Sequence, residues 1–124
     1  MVGCYEVSLG DTIGVGTPEK TQLLCDGLTV PKNLLAAHFH DTFGNAIDNI
    51  MVALANGISV VDSSVGGLGG CPYAKKAAGN VCSENVVYVL HGLGVKTNID
   101  LSKLAEVGKF ITEKVGKENL ATIN

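Results

Sequence analysis

The sequence predicts an α/β fold, in which helices cover a sheet of parallel strands, and two observations support this prediction. Short, almost continuous apolar segments at residues 4–9, 34–40 and 58–62 are typical of strands buried on both faces. Each segment is followed by a glycine-containing loop and then by apolar residues at helical spacing. Three such units fit either an open sheet or part of a (β/α)₈ barrel. A full barrel takes about 250 residues, so the 124 residues here supply at most about half of one.

The first unit joins the strand at residues 4–9 to a helix that begins near Pro18. Thr17 and Pro18 form a typical helix start, because threonine is a good N-cap and proline fits the first helical position. Asp11 follows the end of the predicted strand, within a glycine-containing loop. Its carboxylate can serve in catalysis or can stabilise the turn, and the sequence leaves both roles open.

The second unit joins the strand at residues 34–40 to a helix at residues 44–56, which Gly57 ends as a C-terminal cap. His38 and His40 point to the same face of the strand, because side chains alternate along it. Two imidazoles at the carboxyl end of a strand can share one divalent cation. The alternative interpretation is a pair of polar residues with no function beyond the strand end.

The third unit begins with the strand at residues 58–62 and continues into a long loop at residues 63–82. Four of the five residues at 66–70 are glycine, so this backbone can approach a ligand closely. Cys71 follows directly, and a thiol on such a loop can reach a substrate. A flexible linker with an incidental cysteine is the alternative interpretation.

Two further polar residues lie near the start of the next helix, which is predicted from a Ser83 cap to about Leu90. The amide oxygen of Asn80 is a suitable ligand for Mg²⁺ or Mn²⁺, although Asn80 also fits a turn. Glu84 lies in the first helical turn, where the helix dipole favours any carboxylate.

The last helix is predicted at Leu101–Val115, with Asp100 as its N-cap. Its spacing predicts that three apolar side chains face the core, namely Leu104, Val107 and Ile111.

Composition excludes two classes of partner. The net charge is −3, there is no basic patch and there is no tryptophan, so we expect no nucleic-acid binding. Polar residues and glycines interrupt the apolar segments, so we expect no membrane span.

The four cysteines form no C-x-x-C pair, which indicates reduced, intracellular thiols. Cys4, Cys25 and Cys82 are predicted to be core residues.

Three segments resemble the hydroxymethylglutaryl-CoA lyase family in the order in which that family carries them. Residues 60–74 resemble its signature cysteine loop, and residues 8–14 and 38–44 resemble two further motifs. The resemblance covers nearly the whole chain. It implies that residues 1–124 form the C-terminal portion of a TIM-barrel domain, with the last three βα units followed by C-terminal helices.

The resemblance also implies a site and a reaction. The metal, Mg²⁺ or Mn²⁺, would be held by His38, His40 and Asn80. The catalytic residues would be Cys71, His38, Asp11 and Glu84, and the substrate-binding residues Gly69 and Gly70. The implied reaction is retro-Claisen cleavage of the acyl-CoA substrate 3-hydroxy-3-methylglutaryl-CoA to acetyl-CoA and acetoacetate. The family further implies a homodimer for the complete enzyme and a mitochondrial matrix location.

One family feature is missing here. The family carries an Arg-Asp pair on its first strand, whereas this chain contains no arginine. We therefore expect the chain to be an incomplete fragment that is inactive by itself. Two alternatives remain. One is a related Claisen-condensing acyl-CoA synthase with the same pair of histidines, and the other is a truncated, non-catalytic isoform that binds a full-length subunit.

Overall fold

The computed structural model describes residues 3–70 and 79–123 of the chain. Three parallel strands form one sheet in the order β1-β2-β3. The elements along the chain are β1 (Val7–Asp11), α1 (Pro18–Gly27), β2 (Leu35–Phe39), α2 (Ala46–Ala55), β3 (Val60–Asp62), α3 (Ser83–Gly92) and α4 (Leu101–Val115). Short 3-10 turns lie at Lys32–Leu34 and Val65–Gly67. The predicted α/β class with parallel strands is confirmed.

The strand register fixes which residues are neighbours across the sheet. Gly10 of β1 pairs with His38 of β2, and His38 pairs in turn with Asp62 of β3. Because all three strands are parallel, their carboxyl ends lie along the same edge of the sheet.

The core lies between one face of the sheet and helices α1 and α2. It is built from buried side chains of β2 and α2 with a few neighbours, namely Cys25, Leu35, Ala37, Phe39, Ala46, Ile50, Ala53, Ile58, Val81 and Val86. The other face carries Ser8 and Gly10, which are exposed, and His38 and Asp62, which are half-buried. The sheet therefore has one apolar face under the helices and one polar face.

Most predicted helix ends are confirmed. The Thr17 side chain accepts a hydrogen bond from the Lys20 amide, and Asp100 caps α4 in the same way. Gly57 follows the end of α2 with a φ of 92°, as a glycine cap requires. The Ser83 cap is wrong, because Cys82 occupies the N-cap position and the Ser83 hydroxyl instead bonds the Ser63 hydroxyl at 2.7 Å.

Two core predictions are also wrong. Cys4 is exposed, since it precedes the first paired residue of β1, Val7, and no strand holds it in the core. Val107 is 52% exposed. Helix α4 instead turns Gly108 and Thr112 inward, because it packs closely on α3 and on the turn at Val65–Gly67. No helix in residues 3–70 and 79–123 has the length and apolar character needed to cross a membrane.

Substitution of Ile50 by alanine tests this description of the core. Ile50 has no exposed surface, so we expect Ile50→Ala to lower the free energy of unfolding by about 2–5 kcal/mol in urea titrations. The matched control is Leu23→Ala on α1, where the side chain is 70% exposed and a change within about 0.5 kcal/mol is expected. Equal losses for the two variants would contradict the proposed core.

Candidate functional site

Two imidazole rings converge at the carboxyl end of β2. The Nε2 atoms of His38 and His40 lie 3.3 Å apart, and the ring centroids are separated by 5.4 Å. His40 is buried, whereas the His38 side chain is 36% exposed. The prediction that the two rings share one face is therefore confirmed, and the atoms that meet are both able to bind a metal.

Asp62 and Ser8 complete a polar cluster with His38 on the same face of the sheet. The Oδ2 atom of Asp62 lies 3.2 Å from Nδ1 of His38. The Ser8 hydroxyl donates to the same Oδ2 atom at 2.8 Å. Each of the three strands thus contributes one member. Sequence reasoning missed Asp62 and Ser8, although the pairing of parallel strand ends could have indicated Asp62 as a neighbour of His38.

Asn80 lies opposite His40 in the backbone because the chain returns to β2 at this point. Its backbone forms an isolated antiparallel bridge with His40, and the Val81 amide donates to the Phe39 carbonyl at 3.2 Å. The Asn80 side-chain nitrogen donates to the Leu68 carbonyl at 3.1 Å. With its nitrogen used in this way, the amide has its carbonyl oxygen available as a ligand for a hard cation.

The separation of the two imidazole nitrogens fits a shared divalent cation. Two nitrogens that each lie about 2.1 Å from one metal ion are about 3.0–3.4 Å apart in octahedral or tetrahedral geometry. The observed 3.3 Å lies within this range. Within residues 3–70 and 79–123 there is no group of three or more His, Cys, Asp or Glu side chains that could hold a metal ion. The predicted ligands His38, His40 and Asn80 therefore supply two imidazoles and one amide and no carboxylate, and their role in metal binding stays a prediction.

Glu84 is fully buried and holds the turn that precedes the glycine loop. Both of its carboxylate oxygens accept from the Gly66 amide, each at 3.0 Å. The Leu120 amide donates to the Gly66 carbonyl at 3.1 Å, so both polar groups of this residue are bonded. Gly66 itself has a φ of 62°, and a side chain there would clash with Thr112. The described contacts of Glu84 are thus structural, and its supporting role in catalysis stays a prediction.

Asp11 has a comparable position in the first loop. Its two carboxylate oxygens accept from the backbone amides of Val15 and Gly16, at 3.2 and 2.8 Å. These contacts match the turn-forming alternative of the two roles that the sequence left open. A catalytic role for Asp11 stays a prediction.

The predicted catalytic thiol, Cys71, lies outside the described residues. Gly69 and Gly70 are described and exposed, and Gly69 has a φ of 91°. A side chain on Gly69 would come within 2.8 Å of the Asn80 side-chain nitrogen. The backbone leading to Cys71 therefore passes directly beside a predicted metal ligand.

Among the described residues, the buried thiols of Cys25 and Cys82 lack the properties of a reactive cysteine. Burial raises the pKa of the Cys82 thiol to about 12, with Glu84 and Asp41 adding to the effect. Burial also raises the pKa of the Cys25 thiol. Reactive cysteines have a lowered pKa and an accessible sulfur, so Cys25 and Cys82 are structural.

Comparison with known proteins adds a family to this geometry. The family described as HMGL-like matches residues 1–111. The chain is 57% identical over 120 residues to the mitochondrial hydroxymethylglutaryl-CoA lyase of Arabidopsis thaliana, covering 95% of this chain and 26% of that protein. It is 55% identical to a 3-hydroxy-3-isohexenylglutaryl-CoA/hydroxymethylglutaryl-CoA lyase of Pseudomonas aeruginosa, covering 95% of this chain and 40% of that protein. Relatives from other organisms carry cytoplasmic or mitochondrial names.

Solved structures show the same fold. The crystal structure of hydroxymethylglutaryl-CoA lyase from Pseudomonas aeruginosa matches with a TM-score of 0.91 and 54% identity, covering 97% of this chain and 41% of that one. An Acinetobacter baumannii lyase in complex with coenzyme A and 3-methylmalate matches with a TM-score of 0.89 and 30% identity, covering 96% and 40%. The predicted partial TIM barrel is confirmed. The chain spans between 26% and 40% of the length of the two curated relatives named above.

Alkylation by iodoacetamide tests the assignment of the thiols. We expect Cys4 to be modified rapidly in the native chain, because it is exposed, whereas Cys25 and Cys82 are protected by burial. Peptide mass spectrometry resolves each site. Denatured chain serves as the control, in which all four thiols of the sequence react, including Cys25 and Cys82. Fast modification of Cys82 in native protein would contradict its placement.

The raised pKa of Cys82 also predicts a pH dependence. In the unfolded chain the thiol ionises near pH 9.0, whereas in the folded chain it ionises near pH 12. Its stabilising contribution is therefore fully present below about pH 9 and is lost as the pH rises toward about 12. We expect the difference in free energy of unfolding between wild type and Cys82→Ala to shrink across this window. A constant difference in urea titrations would count against a buried, neutral thiol.

Proposed function

Because this chain belongs to the HMGL-like family, we propose that it forms the metal-binding part of a hydroxymethylglutaryl-CoA lyase. The proposed reaction is cleavage of 3-hydroxy-3-methylglutaryl-CoA to acetyl-CoA and acetoacetate. The observation that carries the proposal is the convergence of the His38 and His40 Nε2 atoms at 3.3 Å, at the carboxyl end of β2. This is the end of the strands at which TIM-barrel enzymes place their chemistry.

A divalent cation, Mg²⁺ or Mn²⁺, would be held by the imidazoles of His38 and His40 and by the amide oxygen of Asn80. When bound, the cation supplies Lewis acidity toward the hydroxyl and carbonyl oxygens of the substrate. Two imidazoles and one amide carry no negative charge, and hard cations bind more tightly to carboxylate oxygens. A carboxylate from the rest of the enzyme is therefore needed for tight binding.

The reaction breaks one carbon–carbon bond and moves one proton. A base removes the proton of the substrate hydroxyl, and the electrons of the broken bond pass to the leaving acetyl-CoA as its enolate. Cys71 then donates its thiol proton to the enolate carbon, and the proton held by the base returns to the Cys71 thiolate with His38 as the relay. A neutral thiol on a glycine loop suits this role of general acid, since it needs no stored negative charge.

The contacts at Gly66 support this use of the loop. The Glu84 carboxylate and the Leu120 amide fix both polar groups of Gly66. Gly69 and Gly70 thus follow an anchored turn, and Gly69 lies beside Asn80. We propose that the backbone of both glycines contacts the substrate. Glu84 and Asp11 support the site through the loops that they hold.

We expect the 124 residues alone to lack turnover. The described residues offer no third imidazole or carboxylate for the cation, and the chain has no arginine to stabilise an enolate. Residues 1–124 would act as the C-terminal portion of a complete barrel domain, which in this family would be a homodimer. The mitochondrial names of several relatives support a matrix location.

A chimera tests the proposed function. Residues 1–124 would replace the corresponding segment of the Pseudomonas aeruginosa lyase, and acetoacetate release from 3-hydroxy-3-methylglutaryl-CoA would be measured with Mg²⁺. We expect turnover by the chimera, and a loss of about 10²–10⁴-fold in kcat for Cys71→Ala, as for the removal of a general acid. His40→Ala should lose activity that added Mn²⁺ restores only in part.

The matched control is Cys4→Ala in the same chimera, because Cys4 precedes the amino end of β1, whereas His38 and His40 lie at the carboxyl end of β2. Its kcat should equal that of the unmodified chimera. A folded chimera without turnover, or full activity of Cys71→Ala, would contradict the proposal.

A further inference from the structure

We propose that Asp62 and Ser8 are positioning residues that fix the ring orientation and the tautomer of His38, so that its Nε2 lone pair faces His40. Neither residue would touch the cation itself. The inference rests on the proposed divalent-cation site and extends it to side chains on the two neighbouring strands.

The contact between Asp62 and His38 determines where the proton of the neutral ring lies. An ionised carboxylate can only accept hydrogen bonds, so His38 donates its Nδ1 proton to the Asp62 oxygen, 3.2 Å away. A neutral imidazole carries a single proton, and its Nε2 atom then keeps a lone pair. This lone pair points toward the Nε2 atom of His40, where a shared cation would lie.

The exposure of these side chains explains why a positioning contact is needed. His40 is buried, and its backbone bridge to Asn80 further restricts it. The His38 and Asp62 side chains are 36% and 44% exposed, so packing alone does not fix their rotamers. The hydrogen bond between them supplies the missing constraint on the ring.

Ser8 constrains the carboxylate in turn. Its hydroxyl donates at 2.8 Å to the same Asp62 Oδ2 atom that faces His38. This oxygen of β3 is therefore bonded by one side chain of β1 and one of β2. Ser8→Ala removes a hydrogen bond to Asp62 but no charge. Its effect on His38 therefore reports the orientation of the carboxylate and not its electrostatic attraction. Partners that orient a ligating histidine in this way typically contribute roughly 10–100-fold to metal affinity.

The tautomer of His38 gives a readout that does not depend on metal or activity. Long-range ¹H–¹⁵N NMR spectra of the metal-free 124-residue chain, recorded where His38 is neutral, distinguish a proton on Nδ1 from one on Nε2. We expect the Nδ1–H form in wild type, and a shift toward Nε2–H in Asp62→Ala and, to a smaller extent, in Ser8→Ala. Backbone amide spectra report the fold, and Asp62→Asn preserves the side-chain shape if Asp62→Ala fails to fold.

A Mn²⁺ titration of the chimera with the Pseudomonas aeruginosa lyase, which supplies the remaining ligands, measures by electron paramagnetic resonance how each variant changes cation binding. We expect Kd to rise roughly 10–100-fold in Asp62→Ala and to rise also in Ser8→Ala. The control is Asp26→Ala, which removes an exposed carboxylate from α1 and should leave both the His38 tautomer and Kd unchanged.

The outcomes separate this inference from the proposed function. A wild-type His38 protonated on Nε2, or a tautomer unaffected by Asp62→Ala, overturns the positioning role. Mn²⁺ binding by the chimera that Asp62→Ala and Ser8→Ala leave intact also overturns it, while the cation site stands. Absence of Mn²⁺ binding in the unsubstituted chimera overturns the cation site, and the tautomer still decides whether Asp62 orients His38.

Discussion

The parallel pairing of β2 with β1 on one side and with β3 on the other is the constraint on which the site depends. This pairing puts Asp62 level with His38 and brings Ser8 within hydrogen-bond distance of the same carboxylate. Polar groups that are far apart in the chain thus meet without any long side chain having to reach across the sheet. A shift of the register by one residue would turn each of them to the opposite face.

The alternation of side chains along β2 places the core residues on one face of the sheet and the candidate site on the other. Leu35, Ala37 and Phe39 face the helices and belong to the apolar core, whereas His38 lies on the other face. The core face holds the strand rigid, so the rings need only local hydrogen bonds to reach a defined orientation. The chain can therefore place two imidazoles within bonding distance of one point while the core face of β2 stays apolar.

The features that the sequence predicted correctly are those determined by local geometry. The shared face of His38 and His40 follows from strand alternation, and the Thr17 cap follows from the backbone amides at a helix start. Asp62 was missed as a site residue because its position next to His38 depends on how β2 and β3 pair, which the local sequence pattern does not reveal. The predicted Ser83 cap was wrong because the Ser83 hydroxyl bonds the Ser63 hydroxyl and no backbone amide of the helix. Local patterns cannot reveal such tertiary competition.

The close approach of Glu84 to Gly108 has an evolutionary consequence. The carboxylate occupies the space that a side chain at position 108 would fill, while it also bonds the Gly66 amide. Positions 66, 84 and 108 are distant in sequence but share one volume. A homologue with a larger residue at 108 would need a shorter acid or a rebuilt turn, so these three positions should change together or not at all across the family.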